Sequence, residues 1–68
     1  MTIEPIYYQD GPLEYVVGYK ITTEVAVLDD NGRKVGSRGA VVETDRDFDI
    51  THTGDLEDYQ VDQIRRAL

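Results

Sequence analysis

From Tyr15 to Leu28 the chain alternates so regularly that one structure dominates the reading. Tyr15, Val17, Tyr19, Ile21, Val25 and Val27, with Thr23 between them, fall on one parity. Lys20, Thr22 and Glu24 fall on the other. A period of two with β-branched and aromatic residues on one side predicts a long strand with one buried face. Asp29-Asp30-Asn31-Gly32 follows and predicts a reversal, because Asn and Gly accept the positive φ that tight hairpins need. A three-residue loop, Asp30 to Gly32, with glycine in the left-handed position, is the favoured geometry. It sets Val27 against Val35, Ile21 against Val41 and Glu24 against Arg38 along a returning strand, Val35 to Thr44. A two-residue Asn-Gly turn would instead set Lys20 against Glu43. Gly18 marks a bend or bulge in the first strand, and Gly36 and Gly39 weaken or curve the second.

The flanking segments complete a layer. Ile3 to Tyr8 has strand-forming residues interrupted by Pro5, which lacks a backbone donor, so it reads as an edge strand or extended arm. Asp10-Gly11-Pro12 reads as a turn. Phe48 and Ile50 share a parity, so Asp47 to Thr51 reads as a short fourth strand. The last segment has helical spacing of Leu56, Tyr59, Val61, Ile64, Ala67 and Leu68, with Thr53 or Asp55 as cap. Its acids come first and Arg65 and Arg66 last, as the helix dipole favours. A helix of about 13 residues is marginal alone in water and must dock on the sheet. The expected fold class is α+β, in a single domain over residues 1–68. It is a small antiparallel sheet of three to four strands built on a long central hairpin, with one C-terminal helix packed on a face.

Sixty-eight residues bury a thin core, about 60% of the unfolded surface, and no cysteine is present to staple it. Self-association through a sheet edge or strand face is therefore one expectation. No apolar run approaches the roughly 20 residues of a membrane helix, and the first residues carry no signal core. The cytoplasm is the expected location, and no membrane partner is expected.

Fourteen acidic against seven basic residues give a formal charge of −7. Such a field repels nucleic acid and attracts basic surfaces. High-salt adaptation or GC-rich coding would produce the same bias. Arg65-Arg66 is too small a cluster to hold phosphate backbone, and no glycine-rich phosphate loop exists, so no direct nucleic-acid ligand is expected.

Catalytic chemistry has little to work with. His52 is the sole histidine and Ser37 the sole serine, and no motif links them. The acids do not read as a sugar cleft, which needs two carboxyls facing each other across a substrate. Asp45, Asp47 and Asp49 have the first three spacings of a calcium loop. Ile50 then stands where glycine is needed and Leu56 where a bidentate glutamate is needed. No catalytic residue, cofactor or metal site is expected.

The remaining signal is the layout of acids and tyrosines. Asp29, Asp30, Glu43, Asp45, Asp47, Asp49, Asp55, Glu57 and Asp58 form three clusters that, on one face, would imitate an array of phosphates. Tyr7 and Tyr8 are adjacent, so in a strand one of them faces outward, where tyrosine makes a good interface anchor. Packing of all five tyrosines around a thin core is the competing reading. In size and charge the chain resembles the small acidic inhibitors that phages and mobile elements deploy against host nucleases and defence complexes. The expected function is a non-enzymatic inhibitor or regulator that docks on a basic protein surface, one that ordinarily binds nucleic acid. The alternative is a self-associating assembly module, of a virion or another complex, including a homodimer.

Overall fold

A computed structural model describes all 68 residues. Four strands and one helix follow in order: β1 (Thr2–Asp10), β2 (Leu13–Leu28), β3 (Lys34–Asp45), β4 (Ile50–His52) and α1 (Asp58–Ala67). The strands form one antiparallel sheet in the order β1-β2-β3-β4, so each connection is a hairpin. This is the expected small α+β layer on a long central hairpin.

β2 is the spine. Its sixteen residues, at about 3.3 Å each, run about 50 Å, and the molecule measures 53 × 19 × 16 Å. β1 pairs with Leu13–Thr22 of β2, and β3 pairs with Gly18–Leu28. Three strands therefore lie side by side only from Gly18 to Thr22. Beyond that overlap, a β1–β2 ribbon projects one way and a β2–β3 ribbon the other.

Gly18 sits buried at the junction, paired with Ile6 on one side and Asp45 on the other. A Cβ there would collide with the carbonyl oxygen of Thr44. Only glycine lets the two ribbons merge at this distance.

The helix packs on the β2–β3 ribbon. Ile21, Val25, Ala40, Val42 and Ile64 form the core cluster, with Ile50 and Leu56 packed against it. The polar residues of α1 complete the ribbon's edge as well as its face. Gln63 Oε1 accepts the Ala26 N–H at 3.0 Å, Gln60 Nε2 donates to the Ala26 carbonyl at 3.1 Å, and Tyr59 Oη accepts the Leu28 N–H at 3.1 Å. These are strand groups that β1, whose pairing stops at Thr2 opposite Thr22, leaves unpaired. A neighbouring strand ordinarily satisfies such groups, and here two side-chain amides and a phenol stand in for one.

The fourth strand runs Ile50–His52 rather than Asp47 to Thr51, because Asp47, Phe48 and Asp49 belong to the loop that Asp45 closes. Three further expectations need correction. Register is the first. The loop itself is the favoured one: Asp29 and Arg33 close it, and Gly32 has φ +79°. A bulge between Val27 and Leu28 then shifts the ladder by one residue. Lys20 faces Glu43, Ile21 faces Val42 and Glu24 faces Gly39. A shift of one turns every side chain over, so Ala40, Val42 and Thr44 point inward while Val35 and Val41 stay exposed. Tyr15 is the second. A bulge at Val17 breaks the parity of β2 and Tyr15 pairs with Tyr8, beyond the reach of β3, so it lies exposed. The helix cap is the third. Gly54 has φ +61° and the Leu56 N–H bonds the Thr53 carbonyl, so this stretch forms a turn and the cap is Glu57. Gln60 reaches back to accept the Glu57 N–H at 3.0 Å. Only Asp58 of the expected acids lies in the first turn, while Arg65 and Arg66 occupy the last. The helix is ten residues rather than thirteen, and no helix is long and apolar enough to cross a membrane.

Candidate functional site

Asp29 and Asp45 do the same job at opposite ends of β3. Asp29 Oδ1 accepts the N–H groups of Asn31 and Arg33, both at 2.9 Å, while the Asp29 carbonyl accepts Gly32 N–H. Asp45 Oδ1 accepts the N–H groups of Asp47, at 2.8 Å, and Asp49, at 3.0 Å, while its carbonyl accepts Phe48 N–H. Each loop closes through the N–H of its first residue and the carbonyl of its fifth. Two copies of one aspartate-headed hairpin loop thus bracket β3. The short side chain mimics a turn of backbone, which is why aspartate starts both. Their fourth positions differ: Gly32 has φ +79°, and Phe48 holds φ +64° as a non-glycine residue. Phe48 stacks on Tyr19 with ring centroids 4.4 Å apart and planes 3° from parallel.

This geometry settles where the acidic residues lie. The length of β3, twelve residues ending at Asp45, separates Asp29 and Asp30 from the loop that carries Asp45, Asp47 and Asp49. At about 3.3 Å per residue that is about 40 Å. Glu43 stands on the exposed side of β3, with His52 Nδ1 at 3.3 Å. Asp55 is held by Arg38 at 2.9 Å, and Glu57 and Asp58 open the helix. The structure brings Asp45, Asp47 and Asp49 together, and Asp55, Glu57 and Asp58 together. It does not gather all nine acids on one face.

Three of the fourteen acids, Glu43, Asp55 and Asp62, lie within ion-pair reach of a basic side chain. The other eleven have no such partner. Asp45, though spaced like a calcium ligand, spends its Oδ1 on its own loop, and no three metal-ligating side chains converge anywhere. The surface holds no pocket. Ser37 and Glu43, the residue opposite His52, are six positions apart on β3, about 20 Å, so Ser37 and His52 are not brought together.

The tyrosines are resolved by the β1–β2 ribbon. Tyr7 is 57% exposed and Tyr8 53%. Successive strand residues face opposite sides, so the pair shows one ring on each face. Tyr8 leans on Tyr15 with centroids 5.5 Å apart. Leu13, Tyr15 and Val17 are exposed beside them. The alternation had placed Tyr15 and Val17 in the core, and the only signal against it was Gly18. Neither β3 nor α1 reaches this ribbon, so both of its faces are open.

No family model, no curated protein sequence and no solved structure matches the chain.

Proposed function

We propose that this protein is a non-enzymatic binding module that docks on a basic surface of a larger protein, anchored by the β1–β2 ribbon and steered by its surplus carboxylates. The observation that carries this reading is the uncovered apolar ribbon. Tyr7, Tyr8, Leu13, Tyr15 and Val17 are exposed together in a chain with only nine buried residues. Tyr8, Leu13 and Tyr15 share one face of the ribbon and Tyr7 stands on the other. Isolated apolar side chains on a surface are ordinary, but a group of three on a projecting element marks an interaction site. Tyrosines that present a flat ring and a polar tip supply contact at little entropic cost.

Charge plays the second part. Fourteen carboxylates along 53 Å is about one every 4 Å. A DNA duplex carries one charge per about 1.7 Å. The protein is too sparse to imitate a duplex by charge alone, and its acids lie on several sides. Steering of a basic partner needs only the net field, and the acids supply that. On this reading it inhibits or regulates a nucleic-acid-binding protein by occupying its basic surface.

Capture on the immobilised protein from an extract of its source cells tests the reading. The expected result is retention of a basic protein at low salt, release as salt rises, and loss of retention by Tyr7→Ser/Tyr8→Ser with unchanged circular dichroism. Retention by that variant equal to the parent, or retention indifferent to salt, would overturn it.

A further inference from the structure

The helix closes one edge of the β2–β3 ribbon and leaves the other open. In an antiparallel strand the N–H and C=O of one residue point the same way, and consecutive residues point to opposite edges. Ala26 and Leu28 bond the helix, so even-numbered residues of β2 face away from β3. Through the observed register, odd-numbered residues of β3 face away from β2. The Asp45 N–H, bonded to Asp49 beyond the sheet, and the Glu43 carbonyl, bonded by Thr51, agree. β4 pairs only with Glu43 and Thr44. The backbone groups of Ser37, Gly39 and Val41 therefore form a free edge with no strand beside it.

Other edges are blunted. β1 carries Pro5, whose missing N–H falls on its outer edge, since Pro5 shares parity with Ile3 and not with Thr2 and Glu4, which sit opposite the β1-facing residues Thr22 and Lys20. β4 is three residues long. The β3 edge has neither protection. Gly36 and Gly39 have open space where a Cβ would stand, and Val35 and Val41 are 65% and 50% exposed. Long, unguarded edges are templates for another strand.

We infer that this edge pairs with the same edge of a second copy, antiparallel about a two-fold axis beside Arg38. That register sets Ser37 against Gly39 of the second copy and brings Val41 alongside the other strand's Val35, so the surface is self-complementary as a two-fold contact requires. Asn31 to Val42 is the longest stretch of the chain without an acid, in a molecule that otherwise repels its own copies. The carboxylates lie outside this segment, while Arg33, Lys34 and Arg38 lie within it and the register sets Arg38 opposite its own copy. Each Arg38 at the axis arrives already paired with its own Asp55. The dimer leaves both β1–β2 ribbons free, so it adds to the proposed docking function without using the same surface.

Sedimentation equilibrium of the full chain at low and high salt tests the inference. The expected species is a dimer whose dissociation constant falls as salt screens the −7 charges, the opposite of the salt response of a basic target. Val35→Lys/Val41→Lys, both at exposed positions, is expected to weaken the dimer at least tenfold. Gly39→Pro, which removes an N–H facing away from β2, is expected to do the same. A monomer at 0.1 mM in both salts (about the concentration where a 10 µM dimer is mostly assembled) would overturn it. So would a dimer that both variants form as readily as the parent.

Discussion

At the scale of single residues, two backbone positions decide more than any side-chain pair. Gly18 is where two ribbons meet, and a methyl group there must displace the Thr44 carbonyl. Gly18→Ala is expected to cost about 2–3 kcal/mol or more, in the range of forced overpacking. Urea denaturation measures it, and a cost under about 0.5 kcal/mol would contradict the tight junction. Phe48 shows the opposite compromise. It accepts a left-handed φ of +64°, a conformation that costs an L-residue about 1–2 kcal/mol, and holds its ring on Tyr19. Phe48→Gly and Phe48→Ala both lose the stack, but only glycine relieves the backbone. The glycine variant is therefore expected to be the more stable of the two by about 1 kcal/mol. Equal melting curves would show that the backbone carries no strain.

At the scale of elements, what was legible in the sequence was the identity of each piece, and what was not was their offset. Alternation in Tyr15–Leu28 names a strand, and Asp29-Asp30-Asn31-Gly32 names its loop with glycine correctly placed. Alternation carries no signature of an extra residue, however. The bulges at Val17 and near Val35 each shift a ladder by one; the second leaves Val35 and Val41 exposed and buries Val42, while Tyr15 lies exposed because neither β3 nor α1 reaches its ribbon. The acidic clusters were legible as composition but not as placement, because the length of β3 separates Asp29 and Asp30 from the Asp45–Asp49 loop. That second loop hid because Phe48 stands where its twin has Gly32. The docking of α1 was legible in Val61 and Ile64 but not in its glutamines, since polar residues on a helix normally mean solvent. Gln60 is 2% exposed because it completes the β2 edge. Gln60→Ala leaves the Ala26 carbonyl and Glu57 N–H unpaired and is expected to cost about 2 kcal/mol. Gln63→Ala is expected to speed hydrogen exchange at the Ala26 amide and leave the Ile21 amide, inside the β2–β3 ladder, unchanged. Uniform acceleration of both would mean that the glutamine merely supports global stability.

At the scale of the whole molecule, shape is the main functional statement. A compact chain of 68 residues has a radius of gyration of about 11 Å; this one has 14.3 Å. Its core is one cluster under one helix, and the β1–β2 ribbon extends past it without support. A two-stranded ribbon is marginal by itself in water, so its exposed tyrosines gain most from a partner. On the proposed function the acids add long-range attraction to a basic surface; they neither build the core nor form one patch. The proposed function needs the ribbon to stand clear of the core. Small-angle X-ray scattering, extrapolated to zero concentration on the Val35→Lys/Val41→Lys variant, tests that directly. The expected result is a radius of gyration near 14 Å and a maximum dimension above 50 Å, in line with the 14.3 Å and 53 Å of the structure. A value near 11 Å, with the ribbon folded back over the sheet, would contradict it.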